Sequence, residues 1–215
     1  EKYELRRGMV RTNSELFFSK VILLAEGVTE EQVLPALLQN YFSKNCSALG
    51  VNCVGINGKS YAPYIKLAVS FGVPVCIISD NDGNTEQEIK SHINKVKKDY
   101  SIDLNADIFE LKFLDKDNDF EAELLKMGLR DEVIEALILT CQGAENNPRY
   151  REAKKKEFQS LSDIDLLAKL RDCKAEYAGL LAEVILDNPY SKDFKSMLSP
   201  ALFESFAKIE EWLKK

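Results

Sequence analysis

Three close pairs of carboxylates are the residues of this sequence best suited to chemistry: Glu26 with Glu30, Asp80 with Asp82, and Asp119 with Glu121. Glu30 lies one helical turn beyond Glu26, so both can face one ion. Asp80 and Asp82 are two apart in a segment expected to be extended, which projects them to the same side. The same holds for Asp119 and Glu121 if Asp119-Phe120-Glu121 is extended. Six carboxylates without His or Cys form an all-oxygen donor set, which suits Mg²⁺ or Mn²⁺, and also Ca²⁺. Such a cluster repels itself unless cations or protons neutralise it. Each pair also has a purely structural reading. Glu30 is favoured by a helix N-terminal dipole, and Asp-Asn-Asp-Gly is a common surface turn.

What makes the pairs more than turns is where they fall. The run KVILLAE (20–26) is apolar and short, as in a buried parallel strand, and stops at Glu26-Gly27. Thr29 then opens T-E-E-Q, a capping-box pattern with Gln32, before the helically spaced EQVLPALLQNYF. VNCVGINGK predicts a strand that ends in a turn at Asn57-Gly58, and Pro63 marks the start of the next helix. GVPVCIISDND is the clearest strand and stops abruptly at Asp80; TEQEIKSHINKVKKDY predicts a charged helix. ADIFELKFL predicts a strand that runs into the third acidic stretch. Alternating strands and helices imply a mainly parallel sheet flanked by helices, and in such sheets functional residues gather at the strands' carboxyl ends. From about residue 125 the pattern is helical only. The expected organisation is a lead-in over 1–19, an α/β core over 20–125 and a helical C-terminal segment over 126–215.

Composition narrows the alternatives. Hydrophobic residues make up 45% and charged residues 30% of the 215, which is ordinary for a protein with a real core. No apolar run approaches the roughly 20 residues of a membrane helix, so no membrane partner is expected. The charged start EKYELRRGMV carries no signal-peptide apolar region and reads as the beginning of a fragment. Five scattered cysteines without a C-x-x-C pair argue against a zinc site or disulfide framework and for a reducing cytoplasm. The single histidine, His92, falls in a polar stretch and reads as an exposed helix face. The net charge of −6 gives no global nucleic-acid signal, although an acidic metal site would itself depress it. Lys95–Lys98 and Arg149–Lys156 could follow a DNA backbone or could be solvated helix faces.

The order LLAEGVTE (23–30), N-G-K-S-Y (57–61) and ISDND (78–82) resembles the Toprim fold, which is shared by topoisomerases, bacterial primases and OLD (overcoming lysogenization defect) nucleases. The form EGVTE, preceded by RTNSELFFSKVILL, looks most like the OLD family and the related Gabija-type defence nucleases. The likeness spans roughly residues 10–125 and extends more loosely into the tail. There Lys174-Ala-Glu-Tyr-Ala178 followed by Leu-Leu-Ala is similar to the family's K-x-x-x-A-x-x-L-A segment.

The resemblance implies a metal-dependent DNA endonuclease with two ions, phage-defence activity, an upstream ABC-type ATPase domain and possible homo-oligomerisation through it. Glu26 and Glu30 resemble ligands of a first metal, and Asp80 a ligand near both. Asp82, Asp119 and Glu121 resemble ligands or shapers of a second. Lys174 resembles a lysine that supports the phosphate chemistry. Relatives often carry Ser at the position of Asp119 and Gly at that of Ala175. Glu26, Asp80 and Lys174 are thus the catalytic candidates. Toprim domains of primase or topoisomerase type, in which Tyr61 or Tyr64 could be considered as a nucleophile, are the enzymatic alternative. A non-catalytic DNA-binding or assembly module is another, and a response-regulator-like Mg²⁺ pocket gives the E-G-x-T-E strand end no role.

Overall fold

The structure, a computed structural model, describes residues 16, 18–56, 61–188 and 194–215. Four strands form one parallel sheet: β1 (Val21–Ala25), β2 (Val51–Gly55), β3 (Val75–Ser79) and β4 (Phe109–Phe113). Their spatial order is β2-β1-β3-β4. β1 pairs with β2 in the register Leu24↔Val54 and with β3 in the register Leu24↔Ile77, while β3 pairs with β4 in the register Ile77↔Leu111. The chain therefore leaves β1 towards one edge and later returns to its other side. The carboxyl ends of β1 and β3 flank the point where this direction reverses, the place where open α/β sheets bind ligands.

The alternation of side chains along the strands divides the core into two faces. Ile22, Leu24, Val75 and Ile77 pack with α3 (Ala62–Phe71) and α4 (Thr85–Tyr100) through Ile65, Ala68, Ile89, Ile93 and Val96. Val21, Leu23, Ala25, Cys76 and Ile78 face the other way, onto α1 (Val28–Phe42) and the C-terminal helices. β1 and β3 are buried along their full length, as central parallel strands must be. The short α2 (Cys46–Leu49) leads into β2.

Beyond β4 the described chain is helical: α5 (Phe120–Lys126), α6 (Arg130–Thr140), α7 (Pro148–Gln159), α8 (Asp163–Asp172), α9 (Lys174–Asp187), α10 (Phe194–Met197) and α11 (Pro200–Leu213). α9 packs against both α1 and α6. Its buried Tyr177, Leu181 and Ile185 join one continuous apolar cluster with β1, β3 and the α11 residues Phe206 and Ile209. The Trp212 indole N–H donates to the Ala106 carbonyl at 3.3 Å, which ties the last helix to the loop before β4.

Three local expectations are corrected. Thr29 does not cap α1. Gly27, in extended backbone, takes the cap position, and Thr29 lies inside the helix with its hydroxyl turned to a distant partner. Asp119-Phe120-Glu121 is not extended either: Asp119 is the N-cap of α5, accepting the Ala122 N–H at 3.0 Å, and Glu121 sits in the first turn. Asp119 and Glu121 therefore do not project side by side. The capping bond wins because it satisfies an amide that the helix leaves free. The Asn57-Gly58 turn lies outside the described residues, while the helix predicted from Pro63 begins at Ala62 with that proline in its first turn. His92 is half-buried on α4 rather than exposed. All five cysteines are free thiols.

Because α9 shares its core with the sheet, Leu181→Ala should destabilise the whole chain by about 2–5 kcal/mol, the usual range for emptying a buried leucine site. Urea unfolding followed by Trp212 fluorescence and by far-UV dichroism should give one coincident, shifted transition. Two separate transitions would show that the tail folds on a core of its own.

Candidate active site

The register of β1 and β3 places Glu26 and Ser79 side by side, each two residues past the last pair, Leu24 and Ile77. The Ser79 hydroxyl lies 3.2 Å from Glu26 Oε2 and 3.1 Å from the Asp80 carbonyl. Glu26 and Asp80 thus leave two adjacent strands at the same edge. Glu30 arrives from the first turn of α1, only 5% exposed, with its carboxylate folded over Gly27. A Cβ on residue 27 would stand 2.7 Å from Glu30 Oε2, so glycine there gives the carboxylate its room.

The next two carboxylates come from α5. Glu121 is completely buried. Its Oε1 accepts the Thr29 hydroxyl at 2.7 Å and the Tyr177 hydroxyl at 3.0 Å, and its Oε2 faces the Lys174 ammonium at 2.8 Å. Lys174 is the first residue of α9, where the helix dipole disfavours a cation, and Glu121 offsets that cost. Asp119 accepts Ala122 N–H with one oxygen and the Arg171 Nε with the other, at 2.6 Å. Asn81 holds this loop in place: its side chain donates to the Leu114 carbonyl at 3.0 Å, and its backbone bonds both Asn118 and Asp117.

Asp82 stands apart. It is exposed, and its Oδ1 accepts the Thr85 hydroxyl at 2.7 Å at the start of α4. The carboxylates that act most strongly on Asp80 are Glu30, Glu26, Glu121 and Asp119, not its near neighbour in sequence.

Electrostatics mark this edge as unusual. Burial, reinforced by the charges of Glu30, Glu26, Glu121 and Asp119, pushes Asp80 up to about 8. Burial likewise raises Glu30 to about 7; Glu121 and Glu26 add to the rise, while its own backbone N–H and Lys174 oppose it. For Asp119 burial works upwards, but Arg171, the Ala122 amide and Lys174 together hold it below the ordinary carboxylate range. Burial opposes the charge of Lys174 too, yet Glu121, Glu30 and Asp119 keep its ammonium above the usual lysine value. Two carboxylates raised by desolvation and by each other are a pattern that concentrates at functional sites.

The donor set at this edge is entirely oxygen, as hard divalent ions require. Asp80 Oδ1 is buried without a hydrogen-bond partner among the described residues, so one acceptor is held ready for a cation or a proton. Among the described residues, however, no three His, Cys, Asp or Glu side chains are grouped as a metal cage. Glu121 and Asp119 are turned to protein partners instead. Glu26, Glu30 and Asp80 are left as the carboxylates of this edge that could hold an ion, while the exposed Asp82 is bonded to Thr85.

Several residues here carried no warning in the sequence. Arg171 lies 52 positions from Asp119, and Thr29 lies 92 positions from Glu121. Tyr177 was more legible, since three positions after Lys174 places it on the same helix face. Tyr61 is completely buried, and burial together with the Glu26 charge pushes its phenol above its ordinary value. It packs in the apolar cluster with Ile22, Leu24, Ile65 and Ile77 and is poorly suited to act as a nucleophile.

Comparison with known proteins agrees with this geometry. Residues 17–82 match the family described as "Overcoming lysogenization defect protein-like, TOPRIM domain". No curated protein is matched by the sequence. The fold is similar to the C-terminal region of the Xanthomonas campestris pv. campestris OLD protein, with a TM-score of 0.62 at 22% identity, covering 94% of this chain and 97% of that one. It is also similar to the C-terminal region of the Burkholderia pseudomallei OLD protein, with a TM-score of 0.60 at 19% identity, covering 91% of this chain and 99% of that one. The chain therefore carries an OLD-like Toprim domain at residues 17–82, set within the fold of OLD C-terminal regions.

Proposed function

We propose that this chain is a divalent-metal-dependent DNA nuclease that hydrolyses phosphodiester bonds at the shared edge of β1 and β3. The observation that carries the reading is the meeting of Glu26, Glu30 and Asp80 there, with Asp80 Oδ1 buried and unpartnered. Toprim domains in general bind divalent metals, and these three carboxylates would hold Mg²⁺ or Mn²⁺, two ions in the full site, with Ca²⁺ as a substitute. What such ions supply is a more acidic water for attack on phosphorus and stabilisation of the leaving oxygen.

The protein's own groups do the rest. Ser79 orients Glu26, Gly27 gives Glu30 its place, and burial keeps the carboxylates from being satisfied by bulk water. Lys174, with its side chain 42% exposed, presents a fixed positive charge for the negative charge that builds on the phosphoryl oxygens during attack. Glu121, locked by Thr29 and Tyr177, is best read as the residue that positions this lysine rather than as a ligand. Asp82 would act from the rim, through the loop that carries Asp80.

DNA is the proposed substrate, and an upstream ABC-type ATPase domain the proposed regulator, since the similar structures are C-terminal regions of OLD proteins. A role in phage defence, assembly into a homo-oligomer through that upstream part and residence in the cytoplasm belong to the same proposal. Among the described residues no helix is long and apolar enough to cross a membrane.

Asp80→Asn tests the reading directly. Plasmid DNA incubated with the chain and Mg²⁺, Mn²⁺ or Ca²⁺ should be nicked or cut, EDTA should stop the reaction, and the variant should be inactive but folded. Metal-dependent cleavage by the variant at the wild-type rate would remove Asp80 from the site.

The raised carboxylates make a further, thermodynamic prediction. A carboxyl group whose folded value lies above its unfolded one stabilises the fold fully below the unfolded value, and that contribution is lost as pH rises through the folded one. For Asp80, at about 8, and Glu30, at about 7, the metal-free protein loses this contribution between about pH 4 and pH 8. Asp80→Asn should therefore gain stability over the wild type as pH rises, by a few degrees in Tm at pH 8. Mn²⁺ should raise the wild-type Tm more at pH 8 than at pH 6. A wild-type-to-variant difference that does not change with pH would contradict the assignment.

Lys174→Ala should lower cleavage by roughly 10²–10³-fold, the range for losing one preorganised electrostatic contact. Mn²⁺ affinity should change far less than in Asp80→Asn. Cleavage at the wild-type rate would leave the carboxylates in place and remove the lysine.

A further inference from the structure

Arg171 is the charged residue of this site that the nuclease reading leaves unused. It lies in the last turn of α8, where a cation complements the helix dipole. Its Nε donates to Asp119 Oδ2 at 2.6 Å, and Asp119 is itself fixed by the Ala122 N–H. The two ends of this pair differ sharply: the Asp119 side chain is 13% exposed, the Arg171 side chain 48%. The guanidinium is thus gripped from beneath through one nitrogen while its other edge faces solvent. Among the described residues its Nη1 and Nη2 atoms make no hydrogen bond.

An arginine held through Nε has its plane fixed and its Nη pair aimed outward, a fork that matches two phosphate oxygens. The charges of Asp119, Glu121 and Asp80 all act on this guanidinium, so it stands within the field of the carboxylate edge. As a surface ion pair alone it would add little to stability. Lys174 cannot serve in the same way, since its ammonium is a compact charge directed at Glu121.

We propose that Arg171 is a substrate-binding residue of this site, taking a backbone phosphate of the bound nucleic-acid strand on its Nη edge. Asp119 is its positioning residue, in place of a role as metal ligand. This rests on the nuclease reading and deepens it by assigning the contact that seats the strand. Recognition is of the phosphodiester, so the contact carries no base preference.

The test is a fluorescence-anisotropy titration of a labelled DNA oligonucleotide in Ca²⁺ and in EDTA, at several salt concentrations from about 50 to about 200 mM. Steady-state cleavage in Mn²⁺ and Mn²⁺ affinity are measured on the same proteins. Arg171→Ala should weaken DNA binding roughly tenfold or more, the loss of a charge-assisted contact. The slope of log affinity against log salt should fall in magnitude by about 1, as for one lost phosphate contact. KM should rise with kcat within about threefold, the mark of lost uniform binding, and Mn²⁺ affinity should hold. Arg171→Lys keeps the charge and loses the fork, so its DNA affinity should stay below the wild type. Asp119→Asn keeps the α5 cap and loosens the grip on Arg171, so it should fall between Arg171→Ala and the wild type. If the wild-type chain binds and cleaves DNA but Arg171→Ala does so with unchanged affinity and slope, this inference is overturned and the nuclease reading stands. If Arg171→Ala loses Mn²⁺ affinity and thermal stability along with DNA binding, the residue is structural and the inference also fails. A wild-type chain that neither binds nor cleaves DNA overturns both.

Discussion

Like charges forced together at the edge of a parallel sheet are the constraint on which this structure turns. Parallel pairing of β1 with β3 fixes Glu26 and Asp80 on neighbouring strand ends, and α1 brings Glu30 back over Gly27. Glu26 and Asp80 cannot move far, because the strands behind them are buried along their length. Repulsion and desolvation must then be met by protons or by cations. The raised values of Asp80 and Glu30 describe the proton solution, and a divalent ion is the other. A site of this kind is expensive as decoration and useful as a place to bind metal.

The C-terminal helices supply what the sheet lacks, which is positive charge. Lys174 and Arg171 stand on either side of the junction between α8 and α9, and each is anchored by a carboxylate of α5. Buried Glu121 is the hinge of that arrangement, since Thr29 of α1 and Tyr177 of α9 both donate to it. The apolar contacts of α9 with α1 fix the helix, and this polar network fixes the lysine on it. Packing and electrostatics thus converge on the same helix for different reasons.

Much of the sheet was legible in the sequence because its signal is local. Short apolar runs that stop at Glu26 and at Asp80 predict strands ending in carboxylates, and both do so. The helix TEQEIKSHINKVKKDY begins and ends where its pattern does. Pattern and structure part where another bonding partner claims the side chain. T-E-E-Q reads as a capping box, but the Thr29 hydroxyl is claimed by Glu121, 92 positions away. Asp82 matches the spacing rule for Asp80, yet Thr85 binds its carboxylate at the rim. For Asp119 the residue type suits a helix cap, and its carboxylate accepts the Ala122 N–H in that role. Arg171 could not be found this way, since its role depends on a partner, Asp119, that no spacing rule connects to it.

The central claim is that Glu26, Glu30 and Asp80 form the ion-binding heart of the site. The most direct measurement is anomalous diffraction from crystals of the chain grown or soaked with Mn²⁺. The account predicts an anomalous peak at the carboxyl edge of β1 and β3, with oxygens of these three residues at about 2.0–2.2 Å, typical of small hard divalent ions. Ions bound only elsewhere, or no peak at this edge at saturating Mn²⁺ and pH 8, would contradict it.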